Sequence, residues 1–167
     1  MIAPAVAGPQ IRVKVADFAV SAEPVTLVTI GLGSCVAVAL HDASAGVGGL
    51  AHVLLPSESM SRDRGNRAKF AGTAVPLLVE RMQALGARTA RLQAKLAGGS
   101  SMFSTLTPAG GLQMGERNVL AVREALARMG IPIAAQDVGG EHGRSVYFSV
   151  GDGAMLVRSI KMGNVVL

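Results

Sequence analysis

The stretch VTIGLGSCVAVALHDASAGVGGLAHVLLP, Val28 to Pro56, decides how the chain is read. Two short apolar runs, Val36 to Leu40 and Val47 to Leu55, flank the turn-forming segment His41 to Gly46. Apolar runs of this length, bounded by Asp, Ser and Gly, predict a β-hairpin. With His41 to Gly46 as the loop, Leu40 faces Val47 and Cys35 faces His52. Opposed side chains of an antiparallel pair lie about 4.5–5.5 Å apart at Cβ. The single cysteine of the chain is therefore expected to meet a histidine through local pairing alone. A slip of one residue would send the two to opposite faces.

The approach to Cys35 reads Gly31-Leu32-Gly33-Ser34. Glycine tolerates positive φ and lets a second backbone come close. Such a turn presents a nucleophile at a strand end, and backbone N–H groups around Gly33 and Ser34 are then available to hold an oxyanion. Thr29 precedes the turn. Its hydroxyl is placed to orient an imidazole, the third role in a set of nucleophile, base and orienter. In other surroundings a lone cysteine reads as a small buried hydrophobe. The glycine turn and the facing histidine favour chemistry.

TIGLGSCVAV followed by GGLAHVLLP resembles the chemoreceptor glutamine deamidase family, CheD. Further segments resemble it in the same order: AKFAGTAVPLLVERMQALGA (Ala68 to Ala87), KLAGGSSMF (Lys95 to Phe103), GERNVLAVREALARMGIPI (Gly115 to Ile133) and DVGGEHGRSVYF (Asp137 to Phe148). The likeness runs from Ile11 to Lys161. It implies a catalytic triad falling on Cys35, His52 and Thr29. It implies a protein-glutamine deamidase that converts glutamines of methyl-accepting chemotaxis receptors to glutamate and releases ammonia, with no cofactor. It also implies a partner, the CheC-type phosphatase, and a fold shared with bacterial toxin deamidases. One departure stands out: Gly72 occupies a position where the family commonly carries an acidic residue.

Length and composition agree with this reading. The 167 residues are expected to form one domain, with its core from about residue 11 to 161. Half the residues are hydrophobic, yet no apolar run approaches the ~20 residues of a membrane helix. The N-terminus MIAPAVAGPQ lacks the basic and apolar regions of a secretory signal. A cytoplasmic protein without direct membrane insertion is expected, and a lone thiol suits a reducing compartment. The net charge of +5 raises nucleic acid as a partner, but one Tyr and no Trp leave little to stack on bases. An acidic protein partner is the more economical reading. The close ligand pairs of common zinc motifs are missing, so no metal site is expected.

The remaining elements follow from pattern. Ile11 to Val20 and Val25 to Ile30 read as strands, and Ser57 to Asn66 as a loop beside the site. Arg67 to Leu85 has helical spacing, with Phe70, Ala74, Leu77, Leu78, Met82 and Leu85 on one face and Asn66 as cap. Pro76 should kink or divide that helix. Arg91 to Ala97 is a strand, Ser104 to Met114 a loop, and Gly115 to Met129 a second helix burying Val119, Val122, Leu126 and Met129. Ile131 to Val138, Arg144 to Val150 and Ala154 to Ile160 read as a three-stranded meander. His41 and His142 fall in turns and read as surface residues. The tail from Lys161 carries no signal. This order predicts an α+β fold, a layered mixed or antiparallel sheet packed by two main helices.

Two other functions stay open at this point. One is a different cysteine hydrolase, a peptidase or transglutaminase-like enzyme. The other is a non-catalytic module that regulates a phosphatase or receptor by binding.

Overall fold

The hairpin forms, in a different register. In the computed structural model, which describes residue 6 and residues 8–102 and 111–167, strand β4 (Val36–Asp42) pairs antiparallel with β5 (Val47–Val53). Asp42 faces Val47 and Ala37 faces His52, so Cys35 is not directly opposite His52. The loop is shorter than expected because His41 and Asp42 belong to the strand. Asp42 is buried, and its carboxylate accepts from the Ala45 and Arg88 backbone N–H groups and from the Arg91 guanidinium. Those partners offset the cost of burying a charge in the sheet. The register moves by two positions, an even number, so Cys35 and His52 remain on one face.

β4 lies inside a sheet of order β2-β5-β4-β6-β7, built from Phe18–Ser21, β5, β4, Gln93–Gly98 and Ile133–Val138. Both its faces are buried. Val36, Val38 and Leu40 pack with two helices, α1 (Ala71–Gln83) and α2 (Met114–Arg128). Ala37 and Ala39 pack with Leu27, Val146, Phe148 and Met155 of a second sheet. That sheet has the order β1-β3-β8-β9-β10: Gln10–Arg12, Thr26–Leu32, Arg144–Ser149, Met155–Ser159 and Gly163–Val166. The result is three layers, helices on sheet on sheet. The α+β class is as expected, with the sheet divided into two.

Division of the sheet accounts for most differences from the sequence reading. Ile11 to Val20 is two short strands, β1 and β2, one in each sheet, joined across Ala16 at φ 58°. The expected meander does not form, because β7 runs parallel to β6 in the first sheet while β8 and β9 belong to the second. Gly139 and Gly140, at φ 82° and 74°, turn the chain from one sheet to the other. Arg144 fixes the crossing through the Gly139 carbonyl and Asp137. The tail adds β10 beside β9.

α1 begins four residues later than expected, after a 3-10 turn over Arg67–Lys69 that Asn66 caps through the Ala68 N–H. Ser57 to Asn66 contains another such turn, Glu58–Met60. Pro76 does not divide α1. Its missing donor would have met the carbonyl of Gly72, an exposed residue. Leu85 lies beyond the helix and is 43% exposed, not buried. α2 matches its expected span within a residue at each end. His41 is not a free surface residue, since its Nε2 bonds the Val150 carbonyl at 2.9 Å. The loop expected over 104–114 lies largely outside the described residues.

Gly72 sits in the first turn of α1, and a Cβ there would have only the Arg128 guanidinium nearby, at 3.9 Å. Gly72→Asp removes a helical glycine, places a negative charge at a helix N-terminus and offers Arg128 a partner. It should raise stability by about 1 kcal/mol, read as a higher urea midpoint at unchanged slope.

Candidate active site

The layer between the sheets holds the polar residues singled out by sequence. On β5, Leu50 points into this layer, and His52, two residues on, shares its side. On β3, Leu27 points inward and Thr29 follows at the same spacing. Thr29 of one sheet thus meets His52 of the other: Oγ1 and Nδ1 are 2.7 Å apart, and both residues are fully buried. After Thr29 the strand bulges at Ile30–Gly31, with Gly31 at φ 78°. The extra residue returns Leu32 to the interior.

The Thr29 hydroxyl fixes the state of the ring. It donates its only hydrogen to the Val13 carbonyl at 2.7 Å. It can therefore only accept from His52, so Nδ1 carries the proton. Nε2 is left unprotonated, buried and without a hydrogen-bond partner among the described residues. The backbone of His52 is held as firmly: its N–H donates to Asp17 and its carbonyl accepts from Ala16, each at 3.0 Å.

Cys35 immediately precedes β4 and packs with Ala37 in the inter-sheet layer, 8% exposed. The turn that carries it is fixed by three successive carbonyls. Gly33 accepts from the Ser100 N–H at 2.9 Å, Ser34 from the Asn118 side-chain amide at 2.9 Å, and Cys35 from the Gly99 N–H at 2.8 Å. Glycine is required at Gly98, where φ is 106° and a Cβ would lie 2.3 Å from the Cys35 carbonyl oxygen. Gly98 and Gly99 thus bring a second backbone close against the Cys35 turn. The first turn of α2 is not an open anion site, since Gly115 packs against the Gly99 and Ser100 carbonyls.

Electrostatics favour the neutral forms. Burial pushes the Cys35 thiol up, opposed by its own backbone N–H. Burial lowers His52 to about 4. The resting pair is thiol and neutral imidazole, not the thiolate and imidazolium that a simple Cys–His contact suggests.

Sequence reasoning missed three participants. The Val13 carbonyl belongs to the backbone and leaves no trace in residue type. Asn118 lies one turn before Val122 on the buried face of α2, and a polar residue on an apolar stripe was the available signal. The Ser100 hydroxyl is buried without a partner, like Asn118 Oδ1 and His52 Nε2. A groove of about 420 Å³ opens nearby, lined by Ile30, Gly31, Met102, His142, Arg158 and Ile160. Cys35, His52 and Thr29 are not among its lining residues.

A buried thiol and an imidazole with one nitrogen fixed and the other open are the equipment of a cysteine hydrolase. The comparisons with known proteins narrow that class. Residues 54–159 match the family model CheD, described as CheD chemotactic sensory transduction. A probable chemoreceptor glutamine deamidase CheD of Caldanaerobacter subterraneus is 46% identical over 92% of this chain and 94% of its own. Proteins of the same description from Clostridium novyi and Desulforamulus reducens are 42% and 44% identical, over 92% and 90% of this chain and 95% and 91% of theirs. The chain belongs to the CheD family. The family-model match begins after Cys35, Thr29 and His52, whereas the alignments with relatives extend over nearly the whole chain. A crystal structure of a Neisseria meningitidis protein of family DUF152 aligns with 80% of this chain and 63% of its own, at 15% identity and a TM-score of 0.47.

The depressed His52 pKa has a sign that can be checked. Between about pH 6.5 and 4 the unfolded chain binds a proton at this ring that the native protein does not. Stability from this group is thus complete above pH 6.5 and is lost as pH falls toward 4, by about 3 kcal/mol in all. The ring's NMR titration should show a midpoint near 4. His52→Gln should flatten this part of the stability profile relative to the native protein.

Proposed function

We propose that this protein is a protein-glutamine deamidase acting on chemoreceptors, with Cys35 as nucleophile, His52 as general base and acid, and Thr29 as orienter. The observation that carries this reading is the fixed tautomer of His52. Thr29 consumes the Nδ1 proton and leaves Nε2 open, on the side of the sheet that Cys35 shares. The family supplies the substrate class, since its curated members are described as probable chemoreceptor glutamine deamidases.

The chemistry follows from the neutral pair. As Cys35 Sγ attacks the side-chain carbonyl carbon of a glutamine, its proton passes to His52 Nε2, and a C–S bond forms. Proton transfer accompanies attack because burial disfavours the separated ions at rest. Backbone N–H groups at Ser34 and Cys35 hold the oxyanion. Collapse breaks the C–N bond, the imidazolium gives its proton to the leaving nitrogen, and ammonia departs. Nε2 is then free to take a proton from water, whose oxygen attacks the thioester. The second collapse breaks the C–S bond, returns the proton to sulfur and releases glutamate. No metal or cofactor enters any step.

The family resemblance also supports a cytoplasmic location and a CheC-type phosphatase as regulator. Co-purification with such a phosphatase from the host tests the latter.

The decisive experiment is mass spectrometry of a receptor cytoplasmic fragment, with ammonia release followed in parallel. The native protein should convert glutamine to glutamate without cleaving or cross-linking the chain. Cys35→Ala should abolish turnover. Thr29→Ala should lower kcat about tenfold, the worth of one buried hydrogen bond. Peptide cleavage or cross-linking would point to another cysteine hydrolase. Receptor binding that survives Cys35→Ala, with no turnover by the native protein, would point to a binding module.

A further inference from the structure

We propose that Asn118 is a positioning residue that holds the Cys35 turn in place against the His52 strand. The proposal rests on Cys35 and His52 as nucleophile and base. Their relative placement has a weak point, because the β4–β5 ladder ends at the pair Val36 and Val53. Cys35 would pair next with Leu54, but Leu54 turns away: its N–H, like that of Leu55, donates to the Lys69 carbonyl at 3.0 Å. Among the described residues, no backbone hydrogen bond joins the turn from Gly33 to Cys35 with Leu54 or Leu55.

Asn118 fills that gap from a third element. Its Nδ2 donates one hydrogen to the Ser34 carbonyl at 2.9 Å and the other to the Leu54 carbonyl at 3.1 Å. Ser34 precedes the nucleophile by one residue, and Leu54 follows the base by two. The side chain is fully buried on α2, beside Val119 and Val122, so it has little room to move. Only a carboxamide offers two hydrogens from one neutral nitrogen. Glutamine would be a methylene too long for the same helix position.

The other end of the group argues against a purely structural role. Oδ1 is buried and has no hydrogen-bond partner among the described residues. An unpaired buried acceptor is destabilising. A residue kept for stability alone would satisfy both ends or be apolar, as its neighbours on that face are. The amide end joins the two chain segments that the chemistry needs in register. Misplacing reacting groups by an ångström costs about 100-fold in rate, so a clamp here has leverage well beyond its own hydrogen bonds.

The test compares Asn118→Ala and Asn118→Asp with Val122→Ala, a buried cavity variant on the same helix that touches neither carbonyl. Steady-state kinetics are measured on the receptor fragment. Alkylation of Cys35 by iodoacetamide gives a readout that needs no turnover. Asn118→Ala should lower kcat about 10–100-fold with KM within about twofold, and alkylation should speed up as the turn opens. Val122→Ala should lose comparable thermal stability and keep kcat. Asn118→Asp keeps the volume but presents oxygens to two carbonyls. Its kcat relative to native should recover as pH falls from about 8 to 6, because a buried carboxyl protonates there and regains one donor. If Asn118→Ala does not fold, Asp carries the test alone. The proposal is overturned if the Asn118 variants match Val122→Ala in kcat and in alkylation rate. If the native protein hydrolyses no glutamine, the deamidase reading fails, while the alkylation difference still reports on the clamp.

Discussion

The hydrogen bond between Thr29 and His52 joins the two sheets at the place where chemistry is expected. It brings a polar pair into a layer lined mainly by apolar side chains, at a depth where an unmet donor or acceptor would cost about 1–3 kcal/mol. The Val13 carbonyl makes this tolerable by taking the hydroxyl hydrogen. From that one acceptance the tautomer of His52 follows, and from the tautomer the open Nε2. The N-terminal segment that supplies Val13 also supplies Ala16 and Asp17, which hold the His52 backbone. The connector between β1 and β2, peripheral in the chain order, therefore governs the state of the His52 ring.

The two sheets approach closely because the facing side chains are small. β4 presents Ala37 and Ala39 to the second sheet, and β5 presents Gly48, where a Cβ would lie 2.9 Å from the Phe148 ring. Large side chains go to the helix side instead, with Val36, Val38 and Leu40 against α1 and α2. This asymmetry places Cys35 and His52 in a buried layer, where desolvation favours the neutral form of both groups. It also explains why glycines crowd the turn. Gly98 and Gly99 bring the end of β6 against Cys35, and Gly115 brings α2 against the same segment. The Cys35 turn, His52 and Asn118 thus come from three elements packed through backbone rather than through long side chains.

The Thr29–His52 contact was within reach of the sequence, whereas the division into two sheets was not. Cys35, His52 and Thr29 could be singled out because the glycine turn, the hairpin and the family motif all lie within one short stretch. The predicted register was off by two, since Asp42 looked like a loop residue and is in fact a buried strand residue with three partners. Parity survived, because alternation of Val36, Val38 and Leu40 with Ala37 and Ala39 fixes the faces whatever the loop length. Asn118 was passed over because a helix stripe is read for its apolar members. The Val13 acceptor could not be found at all, because carbonyls are common to every residue.

By itself the sequence determined the α+β class, the two helices and the family, and it singled out Cys35, His52 and Thr29 as candidates. These depend on local pattern: periodicity, turn residues and a motif close in the chain. The tertiary structure alone decided that the strands form two sheets, that β7 and β8 belong to different ones, and that the resting Cys–His pair is neutral. Those properties depend on what lies across the layer. Sheet assignment turns on glycine φ values and on Arg144 at the crossing, and pKa turns on desolvation, and neither is written in the residues that carry the chemistry.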